Sequence, residues 1–170
     1  MSHPPQPLQR PGARDLGAQV VEVLRAAGQT VACAESLTGG ELAVLLSATP
    51  GASATFVGGV VSYATAVKRD VLHVTSDRVI SAECAEQMAA GVRELLGSDW
   101  ALSTTGVAGP DTQEDQPPGT VYVGLAGPTG TRSRLLHLDG DRARIRAATC
   151  RDAVRLLLEE LDGSEVRADG

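Results

Sequence analysis

From residue 16 the apolar positions Leu16, Val20, Val21, Val23 and Leu24 recur at helical spacing and stop at Gly28. Asp15 stands where a helix cap belongs, so this stretch predicts an opening helix. The apolar run 30–34 is short and fits a buried strand. Residues 39–47 carry Leu42, Val44, Leu45 and Leu46 and predict a second helix, halted before Pro50-Gly51. The segment 56–63, FVGGVVSY, is the next strand, and Gly58-Gly59 inside it marks a bulge or a close approach of two backbones. A short helix holding Lys68, Val71 and Leu72 follows. Ser81 can cap a longer helix over 82–96, with Met88, Val92, Leu95 and Leu96 facing inward. Residues 100–104 form a third strand. Strands 120–125 and 132–138 flank the hairpin-like turn Gly127-Pro128-Thr129-Gly130. Ahead of them, the polar, acidic stretch 111–118 (DTQEDQPP) reads as an exposed loop. Asp141 can cap a closing helix over 142–161.

Strands alternating with helices point to an α/β fold, a three-layer α/β/α sandwich around a mostly parallel sheet that the closing hairpin makes mixed. Residues 1–13 are rich in proline and glutamine and read as a disordered lead-in. Residues 14–163 form a single domain without internal repeats, and 164–170 read as a frayed end.

Composition narrows the function classes. Fifteen basic side chains against 21 acidic ones leave a net charge of −6, which argues against a general nucleic-acid binder. The aromatic residues are Phe56, Tyr63, Trp100 and Tyr122 alone, too few for a base-stacking surface. The core must be built from Ala, Val and Leu, which suits close helix–sheet packing. Cys33, Cys84 and Cys150 have no CxxC spacing and read as free thiols in a reducing compartment. No apolar run reaches membrane-span length, and no secretory start is present, so a soluble cytoplasmic protein is expected. His3, His73 and His137 are scattered, and no GxGxxG or Walker-type loop follows a strand. Neither a metal nor a cofactor is expected.

One lysine stands out: of fifteen basic side chains only Lys68 is not arginine. Arginine stays protonated, whereas a partly buried lysine can lose its proton and act as a base. Ser36 lies upstream on the glycine-rich turn Ala34-Glu35-Ser36-Leu37-Thr38-Gly39-Gly40, and Tyr63 five residues before the lysine. Serine, tyrosine and lysine together suggest a nucleophile with a lysine-type base. Backbone N–H groups near Thr38, Gly39 and Gly40 could hold an oxyanion or a phosphate, although Ser36 or Thr38 could equally cap the helix that starts there. Glu35 either orients a ligand or is a satisfied charge at a strand end. Tyr63 either relays a proton or packs at the rim. Thr105-Gly106 opens a second glycine turn suited to an anion, and Arg142, Arg144 and Arg146 crowd a helix start that normally prefers acidic residues.

AESLTGG at 34–40, PGAS at 50–53, GGVVSYATAVK at 58–68, TGVAGP at 105–110, PPGTVYVGLA at 117–126 and GDRARIR at 140–146 together resemble the CinA C-terminal-domain family. That family includes amidases that convert nicotinamide mononucleotide to nicotinate mononucleotide and ammonia. The resemblance implies a homodimer with a small-molecule nucleotide substrate, and the composition leaves no membrane or nucleic-acid partner expected. It implies Ser36 as nucleophile, Lys68 as its base and Tyr63 as their hydrogen-bonding helper. It also implies a nucleotide pocket lined by Thr105 and Gly106, with Arg142 or Arg146 on the phosphate. Members without catalytic activity, acting as a nucleotide-binding or competence-associated module, are the alternative. The chain departs from the family where DTQEDQ replaces a frequently glycine-rich loop, and where Leu37 stands in place of a common cysteine. Many members carry a further N-terminal domain, so the chain resembles the stand-alone form.

Overall fold

The computed structural model describes residues 13–168, with side chains over 16–163. Its elements are α1 (Ala13–Ala27), β1 (Val31–Glu35), α2 (Glu41–Ser47), a 3-10 turn (Ala52–Ala54), β2 (Phe56–Val61), α3 (Thr65–Leu72), α4 (Ala82–Leu96), β3 (Trp100–Gly106), β4 (Thr120–Gly127), β5 (Gly130–His137) and α5 (Arg142–Ala168). The lead-in expected to be disordered lies outside the described residues, apart from Ala13, which already belongs to α1. Helix α1 thus begins two residues ahead of Asp15, which is no cap, because Ala13 and Arg14 are good helix formers. Helix α5 runs on to Ala168, through the end expected to fray, since nothing after Gly163 breaks a helix. Among the described residues no helix is long and apolar enough to cross a membrane.

The sheet order is β2-β1-β3-β4-β5. Strand β1 pairs in parallel with β2 and β3, while β3–β4 and β4–β5 are antiparallel. Strands β1, β2, β3 and β5 therefore run one way and β4 the other. Helices α1, α2 and α5 cover one face with large side chains, Leu24, Leu42, Ile145 and Leu157 packing on Val31, Leu102 and Val123. Helices α3 and α4 cover the other, where the strands present Ala32, Ala34, Ala101 and Ala126. Small strand residues let α4 come close: the Ser103 hydroxyl donates to the Ala85 carbonyl at 2.5 Å, and a Cβ on Gly124 would stand 2.4 Å from that oxygen. Along α4 the inward stripe is Met88, Val92 and Leu96, whereas Leu95, roughly 100° round the helix from Leu96, is 52% exposed and not inward as expected.

Both readings of Gly58-Gly59 apply. The β1–β2 register slips between Val31 and Ala32, leaving Val57 without a partner across the ladder. At Gly59 a Cβ would meet the Cys33 sulfur at 2.7 Å. The caps expected at Ser81 and Asp141 form, accepting from the Cys84 and Arg144 N–H groups at 3.0 and 2.9 Å. Because β1, β2 and β3 are adjacent and parallel, their C-terminal ends open onto one edge, and the loops after them meet there.

Candidate active site

Those three loops deliver Ser36, Lys68 and the 105–110 turn to one cavity of about 290 Å³. Ser36 is the first residue after β1, and its N–H donates to the Thr104 carbonyl at 3.0 Å, which extends the β1–β3 ladder by one rung. Lys68 sits in α3 and is 2% exposed. Its Nζ lies 2.9 Å from Ser36 Oγ, 2.7 Å from the Ser62 carbonyl oxygen and 3.3 Å from the Tyr63 carbonyl oxygen. Among the described residues no carboxylate forms an ion pair with it. Burial therefore drives its pKa below the usual lysine range, only partly offset by its electrostatic coupling to Cys84 and Glu114.

The contact set fits a neutral amine. A neutral –NH₂ has two N–H donors and one lone pair. The two carbonyls take the donors, and the lone pair is left facing the Ser36 hydroxyl. With the lysine protonated, Nζ donates to all three oxygens, Ser36 Oγ included. Once burial strips its proton, the 2.9 Å contact reverses and the Ser36 O–H donates to Nζ, which is the arrangement a general base needs.

Tyr63 contributes differently from the expectation. It touches Lys68 through its main-chain carbonyl. Its ring is 58% exposed at the cavity mouth, and its hydroxyl accepts from Arg142 at 2.8 Å. The phenol is thus a rim group bonded to a guanidinium and not a helper on the Ser36–Lys68 pair. Arg142 donates a second bond to the Gly109 carbonyl at 2.9 Å, so it ties the loops after β2 and β3 to the start of α5.

Of the two arginines left open by the sequence, Arg142 lines the cavity and Arg146 does not. Arg146 donates to the carbonyls of Leu37 and Thr38, both at 3.0 Å, and pairs with Glu41 at 2.9 Å. Its task is to hold the 36–40 loop.

Glu35 is corrected from a substrate contact to a cap. It is 1% exposed, and its carboxylate accepts from the Thr38 hydroxyl at 2.7 Å and from the N–H groups of Leu42 and Ala43 at 2.7 and 3.1 Å. The N-cap position of α2 is Gly40, whose missing side chain leaves these N–H groups to the glutamate. Neither Ser36 nor Thr38 caps the helix. Thr38 is buried, its hydroxyl shared between Glu35 and Thr104, and the Gly39 N–H is used by the Ser36 carbonyl at 3.1 Å. Thr38, Gly39 and Gly40 do not line the cavity, whereas Leu37 does. Thr105 and Gly106 line it as expected, although the Thr105 hydroxyl is turned to the Val79 carbonyl at 2.5 Å.

Sequence reasoning missed the Ser62 carbonyl, because a main-chain acceptor carries no residue signature. It also missed Glu114, hidden in a run of polar residues that reads as solvent-facing throughout.

A family model described as the CinA C-terminal domain matches residues 13–161. A CinA-like protein from Frankia casuarinae is 48% identical over 168 residues, covering 94% of this chain and 39% of the relative. A CinA-like protein from Synechococcus sp. is 50% identical over 135 residues, covering 76% and 32%. The chain thus spans less than two-fifths of the length of these curated relatives. Among solved structures, competence damage-inducible protein A (ComA) from Klebsiella pneumoniae superposes with a TM-score of 0.85 at 33% identity, covering 89% of this chain and 98% of that one. CihA, a competence/damage inducible protein from Agrobacterium tumefaciens, superposes at 0.83 with 30% identity, covering 92% and 99%.

Proposed function

Because this chain belongs to the CinA C-terminal-domain family, we propose that it hydrolyses the carboxamide of nicotinamide mononucleotide to nicotinate mononucleotide and ammonia. The observation that carries the reading is a buried lysine without a carboxylate partner, 2.9 Å from a serine hydroxyl at the wall of a cavity. Lys68 takes the proton from Ser36, and the alkoxide attacks the carboxamide carbon. The N–H of Leu37, the next residue along the cavity wall, holds the oxyanion, and one such donor is worth about 3 kcal/mol. The Lys68 ammonium returns its proton to the leaving amine, so ammonia departs. Water, deprotonated by Lys68, then attacks the acyl–serine ester; nicotinate mononucleotide leaves and Ser36 is restored. A thiol nucleophile does not compete: burial pushes Cys84 up to about 11 and Cys150 up to about 12, and raises Cys33 as well. The reading includes a cytoplasmic homodimer acting on a small nucleotide.

The test is ammonia release from nicotinamide mononucleotide by purified protein, beside Ser36→Ala prepared identically. Stoichiometric ammonia and nicotinate mononucleotide from the wild type, absent in the variant, is the expected result. Ligand-induced stabilisation without turnover would favour a binding module. Equal release by both proteins would move catalysis off Ser36.

Arg142 carries the phosphate in this reading, since its guanidinium reaches the mouth with only neutral acceptors, Tyr63 Oη and the Gly109 carbonyl. Arg142→Ala should raise KM for nicotinamide mononucleotide about tenfold, the worth of one charge-assisted hydrogen bond, and should cost nicotinamide riboside, which lacks the phosphate, distinctly less, since that substrate feels only the loosened loops. An equal loss on both substrates would sink the assignment.

A further inference from the structure

The acidic loop 111–118 does more than face solvent. Asp111, Thr112 and Gln113 line one side of the cavity. Glu114 follows, and its two carboxylate oxygens accept from consecutive backbone amides across the mouth, Val79 N–H at 3.0 Å and Ile80 N–H at 2.9 Å. Val79 and Ile80 themselves line the cavity, and the Val79 carbonyl receives the Thr105 hydroxyl. The loop is folded back on itself by paired bonds between Gln113 and Gln116, at 3.1 and 2.8 Å. Its two central residues, Glu114 and Asp115, have φ of 49° and 61°, the left-handed region that glycine favours. Non-glycine residues keep such a conformation when surrounding contacts over-determine it, and the pair of hydrogen bonds that Glu114 accepts is such a contact here.

We propose that Glu114 is a positioning residue that straps the 109–118 loop to the Val79–Ile80 segment and so sets the wall against which substrate binds. The inference rests on the amidase reading for the identity of the substrate, but the strap itself does not. A carboxylate is the side chain that suits this place, since it offers two acceptors to two parallel N–H donors. A glutamine offers one acceptor and turns an –NH₂ group toward the second amide, and alanine offers none. The strap touches neither Ser36 nor Lys68, though its charge raises the Lys68 pKa, so its loss should loosen binding and leave the chemical step in place once Lys68 is neutral.

The experiment compares the wild-type protein with Glu114→Gln and Glu114→Ala in two measurements. Hydrogen exchange of the Val79 and Ile80 amides reads the strap directly. Steady-state ammonia release reads its effect on the reaction. Expected are exchange about tenfold faster at both amides in Glu114→Ala, KM for nicotinamide mononucleotide raised about tenfold and kcat on its high-pH plateau within about twofold of wild type, with Glu114→Gln between. Unchanged exchange would overturn the strap. Faster exchange with unchanged KM, or a fall in kcat to match the rise in KM, would overturn its role in binding. Nicotinamide mononucleotide is also titrated as a shift in Tm. A wild type that is stabilised by it and releases no ammonia sinks the amidase reading, and the strap is then judged by whether that shift weakens in the variants. No shift and no ammonia would overturn the substrate assignment and the binding role together.

Discussion

Lys68→Arg is expected to lower ammonia release by about three orders of magnitude, nearly as large a loss as Lys68→Ala. The charge survives in the arginine variant and the basicity does not, because a guanidinium does not give up its proton in a protein. The site explains why basicity is the property at stake. Two main-chain carbonyls, Ser62 and Tyr63, occupy two directions around Nζ, and Ser36 Oγ occupies the third. An amine with two donors spent on carbonyls has its lone pair aimed at the serine proton, whereas a guanidinium has no lone pair to aim. The same geometry sets the pH dependence. Burial lowers the Lys68 pKa, so at a given pH fewer protons are bound than on an ordinary lysine. The neutral fraction, and kcat/KM with it, should rise with pH through an ionisation below the usual lysine range and then level off. That limb should be absent from the residual rate of Lys68→Ala. An arginine variant retaining more than about a tenth of the activity, against the full contribution expected of a general base, would remove Lys68 from the base role.

Glu35→Ala is the largest stability effect expected among the buried polar residues, a loss of about 3 kcal/mol, seen as a fall in Tm of about 10 °C. The reason is an accounting of donors. Helix α2 is seven residues long and has no side-chain cap of its own. Its Leu42 and Ala43 N–H groups and the Thr38 hydroxyl all end on this one carboxylate, inside the core. Removing it leaves the Leu42 and Ala43 N–H groups without an acceptor and the Thr38 hydroxyl with Thr104 alone, in a place largely closed to water. Glu35→Gln should cost less, since one oxygen remains, although its –NH₂ then faces a backbone donor. Thermal unfolding followed by circular dichroism measures both variants. If Glu35→Gln kept the wild-type Tm and instead raised KM selectively, the glutamate would be a substrate contact after all.

Much of the fold could be read along the chain, because most of its signals are local. The caps at Ser81 and Asp141, the hairpin turn and the 3.6-residue periodicity each depend on neighbours a few residues apart. Lys68 was legible by contrast with fourteen arginines, and Ser36 by its place between an apolar strand and a glycine turn. Boundaries were less legible. Gly28 closes α1 where expected, but α1 starts ahead of Asp15 and α5 runs past Gly163, so both helices extend further than their apolar stripes require.

The roles of residues beside the nucleophile were not legible, and the reason is distance along the chain. Glu35 serves amides seven and eight residues later, across a glycine turn, which no capping pattern anticipates. Arg146 and Arg142 differ by one helical turn and look alike in sequence. They share a helix face but sit about 6 Å apart along its axis, which sets the first on the carbonyls of the 36–40 loop and the second at the cavity mouth. Tyr63 and Lys68 are five residues apart, yet the tyrosine meets the lysine through its carbonyl and sends its phenol to an arginine 79 residues away. The sequence by itself determined the element types, the two-faced helix packing and the residues able to do acid–base chemistry, since these follow from side-chain size, polarity and local spacing. Only the tertiary structure decided which donors meet which acceptors, because adjacent parallel strands bring their following loops together at one sheet edge, and a hydrogen bond is made or lost within an ångström.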